Sequence, residues 1–341
     1  MATKLMTKPL EKVSAQVPAC RFCEAGPEDQ SVKGKFVYGG RPDQHFFQCA
    51  RCSMIYLYPI MTEAEESRFY NAEFERYMAH RAGKDMDWSG PQKHVESNQR
   101  EVKRRLPFLK PFIKKGRRVL EIGCSSGFML SALKKNGMEV YGIDPSGGFI
   151  DFVRSQGITV FRDLPELKRK VDFQFDLILH YYVLEHIRHP VEFLREYLKL
   201  LRPSGVMLFE VPCATDSLLE VYKIPAFQRF YWSVAHHWYF NPDSLARVLA
   251  KVPCPFKLLP EQRYDISNHM VWMQEGKPGG YGRYSHVFGE ELDRHYKDRL
   301  KEHWLCDTLV AMVQPGKKRG LRDRKGQEGA GRGSRGKLIK K

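Results

Sequence analysis

Four groups of residues in this 341-residue chain have types and spacing that could do chemistry. Cys20-Arg-Phe-Cys23 and Cys49-Ala-Arg-Cys52 are two Cys-x-x-Cys pairs separated by 25 residues. Thiolates so spaced are the ligand set of a tetrahedral zinc site, each pair forming a tight knuckle and the segment between them a hairpin. Four thiolates leave no open position for water, so the expected role of the ion is folding and not catalysis. The alternatives are a disulfide pair or four unrelated buried cysteines. A second group is Glu121-Ile-Gly123-Cys124-Ser125-Ser-Gly127, followed by Asp144. A turn of small residues lets a ligand lie on bare backbone, and a carboxylate can accept from two vicinal hydroxyls. The alternative is a tight turn that holds nothing. The third group is His186 and His236, whose reference pKa of about 6.5 suits proton acceptance at neutral pH. Each also reads as a structural histidine with its partners satisfied. The fourth is Tyr77, the last ring of the stripe Phe69, Tyr70, Phe74 and Tyr77. Its hydroxyl could stand at the mouth of the site, or the whole stripe could pack a linker helix onto the main body.

These groups need elements to position them. Val119 to Ile122 is a short apolar run fit for a buried parallel strand. Phe128 to Asn136 has helical spacing, with Leu130 and Leu133 inward, and Gly137 stops it. Val140 to Ile143 is the next strand, with Asp144 at its carboxyl end. This is a βαβ unit of a doubly wound α/β sheet, whose ligand lies over the carboxyl ends of the strands. A dinucleotide fingerprint would need glycine at 123, 125 and 128, and only Gly123 fits. Further strands are expected at 158–161, 175–179, 206–211, 256–259 and 308–313. A long aromatic insertion, 212–239, suits a lid over a substrate.

The pattern Glu121-x-Gly123-x-x-x-Gly127 resembles motif I of the class I S-adenosylmethionine-dependent methyltransferases. Asp144, Asp163, the strand FDLIL (175–179), the turn Leu184-Glu185-His186 and the turn Leu201-Arg-Pro-Ser-Gly205 follow in the order that family shows. The resemblance implies a Rossmann-like seven-stranded doubly wound sheet with an antiparallel last strand. It implies that Glu121, Gly123, Cys124, Ser125 and Gly127 contact S-adenosyl-L-methionine, together with His180 at the end of the fourth strand. Asp144 would bind the ribose hydroxyls and Asp163 the adenine amino group, although Asp163 serves equally well as a helix cap. With its zinc ribbon, the chain is similar to the sugar methyltransferases of polysaccharide and antibiotic pathways. In those enzymes a histidine in the turn after strand four maps to His186, and a Glu-His pair maps to Ala235 and His236. The missing acid at 235 and the absence of their C-terminal extension favour methylation at oxygen or nitrogen over carbon, with His186 or His236 as the base.

The expected organisation is a leader (1–15), a zinc-binding module (16–60), a helical linker (61–100), the methyltransferase domain (101–314) and a basic tail (315–341). No apolar run approaches the roughly 20 residues that span a bilayer, and no signal-peptide core opens the chain. A cytoplasmic protein with reduced thiols is the expectation. The tail holds 11 Lys and Arg against Asp323 and Glu328, more than half of the formal net charge of +16. It suits contact with RNA phosphates or an anionic membrane face, or simple solvation. Three functions therefore stand: methylation of a small-molecule or glycan acceptor, RNA methylation, and a cofactor-fold binding protein without turnover.

Overall fold

The computed structural model describes residues 17–82, 90–145 and 149–316. The leader and all but the start of the basic tail lie outside the described residues. Among the described residues, eleven strands form two sheets. The N-terminal module contributes β1 (Gln30–Gly34), β2 (His45–Cys49) and β3 (Ile55–Tyr58). The large sheet contains β4 (Arg118–Ile122), β5 (Glu139–Ile143), β6 (Thr159–Phe161), β7 (Phe175–Tyr181) and β8 (Leu201–Pro212). A two-residue strand, β9 (Trp238–Tyr239), comes from the insertion. Then β10 (Phe256–Glu261) and β11 (Thr308–Val313) return to the large sheet.

The order of the large sheet is β10-β11-β8-β7-β4-β5-β6. β4, β5, β6, β7 and β8 pair in parallel, and β11 runs antiparallel to both β8 and β10. This is the seven-stranded doubly wound sheet that the sequence leads one to expect, with its antiparallel last strand. The turn expected at Arg202–Gly205 is absorbed into β8 as an irregularity, where the register with β7 shifts between Phe175 and Leu177. Burial follows the two-residue period of a strand. Val119, Leu177, Leu179 and Val206 pack on one face, against the helices Gln99–Leu109 and Phe128–Lys135. Leu120, Ile178, Met207 and Phe209 pack on the other, against the helices Pro190–Leu198 and Pro242–Ala250.

The N-terminal module is part of that second face. Cys20, Phe47, Met54 and Tyr56 belong to the same apolar core as Leu120 and Phe209. β9 joins the module's sheet as its fourth strand, in the order β1-β2-β3-β9, with Tyr56 opposite Trp238 and Ile55 opposite Tyr239. The opposite face of β3, Ile55 and Leu57, packs with Phe227, Tyr231, Trp232 and Tyr239 of the insertion. The insertion is therefore not a free lid: it is stitched into the module.

The linker is helical from Glu63, with a capping box at Thr62, but its middle turn, Phe69–Glu73, is π-helical before the helix resumes at Phe74. The extra residue in that turn changes which ring faces the large domain.

Candidate active site

β4 ends in a turn built on two left-handed glycines. Gly123 has φ +70, and a Cβ there would meet Val183 Cγ2 at 2.7 Å; Gly127 has φ +68 and would meet Val153 at 3.0 Å. Ser125 also takes a positive φ, 47, which a side chain adopts only under strain. The strain is held by a hydrogen bond: the Ser125 backbone N–H donates to Asp144 Oδ2 at 2.6 Å. Gly123 N–H donates to Ile143 O at 2.7 Å. The turn and the acid are thus tied into one bend over the ends of β4 and β5.

That bend opens into a cavity of about 700 Å³. Glu121, Gly123, Ser125, Asp144 and Asp163 line it at one end. Glu185, His186 and His236 line it further along, with Tyr70, Phe227 and Trp272. Burial pushes the Glu121 carboxyl up to about 8, against the pull of the Arg105 guanidinium, and its Oε2 has no partner. Asp163 caps the helix Leu164–Lys170, accepting from Glu166 N–H at 2.7 Å, while it borders the cavity. Its capping role is present whichever ligand the cavity takes.

Several expected positions need correction. Cys124 is buried, and its sulfur lies against the back of β5, near Gly142, so it supports the turn and does not line the cavity. Gly127 also lies outside the cavity lining and serves the bend through its conformation. His180 is not among the residues that line the cavity. Its ring stacks on Phe209 with centroids 4.4 Å apart, both ring nitrogens lack partners, and burial drives its pKa down to about 3. Tyr77 is not at this site either. Its hydroxyl pairs with Ser233 Oγ at 2.6 Å and donates to Tyr38 O at 3.3 Å. The π-helical turn brings Tyr70 to the position instead, with its hydroxyl 3.0 Å from His186 Nδ1.

The two histidines do converge, with His186 and His236 ring centroids 4.6 Å apart at 85°. His186 Nδ1 lies 2.8 Å from the carbonyl of Ala235. A carbonyl only accepts, so Nδ1 carries the proton and Nε2 keeps its lone pair. Burial lowers His186 to about 4 and His236 well below its ordinary value, so both are neutral at physiological pH. Glu185, in the same turn as His186, is fully buried and pushed up to about 8, with neither oxygen partnered. The acid absent at Ala235 is thus matched by one from another element. His237 faces the other way: its Nε2 is 3.0 Å from Glu66 Oε1. Burial would raise Glu66, yet His237 and Arg188 hold it at about 2.

Sequence reasoning missed a buried charge network along the cavity wall. Glu210 Oε2 accepts from Arg104 at 2.7 Å and Arg105 at 3.0 Å, and Arg104 also donates to Glu101 at 2.7 Å. Arg105 lies 3.7 Å above the Tyr181 ring, and Glu101, Arg105 and Arg263 border the cavity. Adjacent arginines three and four residues after Glu101 were the only signal in the sequence. His94 was missed too; its Nδ1 sits 2.8 Å from Ser126 Oγ, on the wall beside the glycine turn.

The four cysteines form one cluster. Their sulfurs lie within 4.8 Å of one another, with Cys20 to Cys52 at 3.6 Å and Cys23 to Cys49 at 3.7 Å. Zinc–sulfur bonds of about 2.3 Å at tetrahedral angles put sulfurs about 3.8 Å apart, so the set fits zinc. The two knuckles repeat one backbone pattern. Glu24 N–H donates to Cys20 O and Ser53 N–H to Cys49 O, both at 2.9 Å, and Glu24 and Ser53 both have positive φ.

The sheet order, the glycine bend and the acid after β5 make a Rossmann-like, seven-stranded doubly wound α/β fold. Residues 94–252 match the family model described as a methyltransferase domain. A ubiquinone biosynthesis O-methyltransferase of Caulobacter sp. (strain K31) is 31% identical over 166 residues, covering 46% of this chain and 64% of that one. A tRNA U34 carboxymethyltransferase of Pseudoalteromonas translucida (strain TAC 125) is 37% identical over 121 residues, 31% of this chain and 35% of that one. The chain thus spans less than two thirds of the length of these relatives. Among solved structures, a SAM-dependent methyltransferase from Archaeoglobus fulgidus is 23% identical, with a TM-score of 0.43 over 64% of this chain and 95% of that one. Among the described residues, no helix is long and apolar enough to cross a membrane.

Proposed function

We propose that this chain transfers a methyl group from S-adenosyl-L-methionine to a hydroxyl oxygen of a small acceptor that presents an apolar face. The observation that carries the reading is the continuity of one cavity, from Ser125 and Asp144 to Glu185, His186 and His236. Methyl transfer from a sulfonium is an in-line displacement that consumes charge, so alignment of donor and acceptor supplies most of the acceleration. Asp144 takes the ribose hydroxyls, and the strained bend exposes backbone to the rest of the cofactor. Phe74, Phe227, Phe230 and Trp272 line the remaining volume and suit a phenol or the apolar face of a sugar. The acceptor hydroxyl gives up its proton, through neutral His186 or His236, to water as the oxygen–methyl bond forms and the carbon–sulfur pair stays on sulfur. Neutral His186 and His236 accept the hydroxyl's hydrogen bond and orient its lone pair. The relative that methylates oxygen in ubiquinone biosynthesis is in keeping with this acceptor type.

Zinc in the four-cysteine cluster would supply folding only: Cys20, Cys23, Cys49 and Cys52 fill its coordination and face away from the cavity lining. Labelled methyl transfer from S-adenosyl-L-methionine across phenols, nucleotide sugars, glycolipids and RNA tests the reading. Label on a small hydroxyl compound supports it. Label on RNA alone replaces it with the nucleic-acid reading, in which the basic tail makes phosphate contacts.

A further inference from the structure

Glu185 and His186 come from the turn after β7, and His236 comes from the insertion more than 40 residues later. Each offers one ligand atom, and the three atoms lie within 4.8 Å of one another on the wall of the cavity. Two of the three carry polar atoms that the structure leaves unpaired. Glu185 has no exposed surface, and neither of its carboxylate oxygens has a hydrogen-bond partner. His236 is 5% exposed, and its Nδ1 has none. Leaving such groups unpaired costs about 1–3 kcal/mol each, so the two oxygens of Glu185 and the Nδ1 of His236 ask for an occupant.

The occupant that satisfies all three at once is a cation. Two neutral imidazoles and a carboxylate suit zinc, ferrous iron or cobalt, whereas magnesium and calcium prefer all-oxygen shells. We propose that Glu185, His186 and His236 form a three-ligand site for a first-row divalent transition-metal ion whose remaining coordination positions face the cavity. Ligand bonds of about 2.1 Å put donors roughly 3.0–3.5 Å apart, so side-chain rotations of about 1 Å close the set. The outer shell of His186 is already in place: its Nδ1–H donates to Ala235 O, which leaves the Nε2 lone pair free to ligate. Tyr70 hydroxyl, 3.2 Å from the same carbonyl, braces that contact.

The site rests on the reading of this cavity as the place where an acceptor hydroxyl meets the methyl donor; within it the ion takes the hydroxyl in place of a direct hydrogen bond to the two imidazoles. An open metal position would bind the acceptor oxygen and lower its pKa, which neutral histidines of low basicity do poorly. The proton leaves to water, the oxygen pair forms the bond to methyl, and S-adenosylhomocysteine departs with the sulfur pair.

The test uses the full chain, with zinc first loaded to saturate the four cysteines, then titrated with Co²⁺. Visible absorption and elemental analysis report the binding. The expected result is a second ion per chain that gives cobalt d–d bands without thiolate charge transfer. Glu185→Gln and His236→Gln should each weaken that second ion about tenfold or more while the cysteine site stays loaded and the melting temperature is kept. If a variant fails to melt cooperatively, the other variant and the wild-type stoichiometry decide. One ion per chain in the wild type, or a second ion that binds equally to both folded variants, overturns the proposal. Calorimetry with S-adenosyl-L-methionine on the same samples separates the two readings. Cofactor binding without a second ion removes the metal site alone, and a second ion without cofactor binding removes the methyltransferase reading alone.

Discussion

The backbone N–H of Ser125 donates to Asp144 Oδ2 across 2.6 Å, so the acid proposed for the ribose also holds the bend proposed for the rest of the cofactor. Hydrogen bonds to a charged group are worth about 1.5–3 kcal/mol. Asp144→Ala should therefore raise the Kd for S-adenosyl-L-methionine about 10- to 100-fold, measured by calorimetry. A change below twofold would remove Asp144 from the site.

His186 and His236 pack edge to face and both line the cavity that Ser125 and Asp144 line. His186→Ala and His236→Ala should each lower kcat by about 10²- to 10⁴-fold, with cofactor affinity changed by no more than a few-fold. Equal losses in kcat and in cofactor binding would instead mean that the cavity had collapsed.

Tyr70 and Tyr77 share one helix but not one role. Tyr70→Phe removes the hydroxyl beside His186 and should lower kcat about tenfold, with the melting temperature little changed. Tyr77→Phe removes the bond to Ser233 and should lower the melting temperature by several degrees while kcat is kept. Measuring both quantities on both variants checks the assignment; the reverse pattern would restore Tyr77 to the site.

Removing metal from the four cysteines should act at a distance. The cluster anchors the module that pairs with β9, and the His237 carbonyl accepts from Leu57 N–H at 3.0 Å. Chelation, or Cys20→Ser with Cys49→Ser, should lower the melting temperature and abolish acceptor methylation. Cofactor binding at the glycine bend, which lies outside that sheet, should fall far less, and calorimetry on the chelated protein reads the difference.

His180 gives stability a pH dependence of known sign. Burial lowers its folded pKa to about 3, below an ordinary value near 6.5. The unfolded chain then binds the extra proton first, and stability falls as pH drops through 6.5 toward 3. By pH 5 the loss from this one residue is about 2 kcal/mol. His180→Phe, which can keep the stack on Phe209, should flatten the denaturation midpoint between pH 7 and 5 by that amount.

The glycine bend, the place of Asp144 and the strands themselves were legible because they depend on local spacing: a run of apolar residues, a stop, and an acid at a fixed offset. The cysteine pairs were legible for the same reason. Tyr70 was not, because a π-helical turn rotates the stripe by a residue, and nothing in the residue types at 69–73 announces it. His180 was misplaced because alternation along β7 decides its face, and the histidine there lies on the side of Ile178 and Phe209. Glu210 and its arginines meet across more than 100 residues, a distance that no pattern within one helix reports.

The pairing of Tyr56 with Trp238 closes a loop of about 180 residues. Strands β4 to β8 come from a contiguous stretch and can pair as soon as they leave the ribosome, but the N-terminal sheet must wait for its last member. The module therefore cannot finish its sheet until the insertion has been made, and β10 and β11, which complete the edge of the large sheet beyond β8, follow later still.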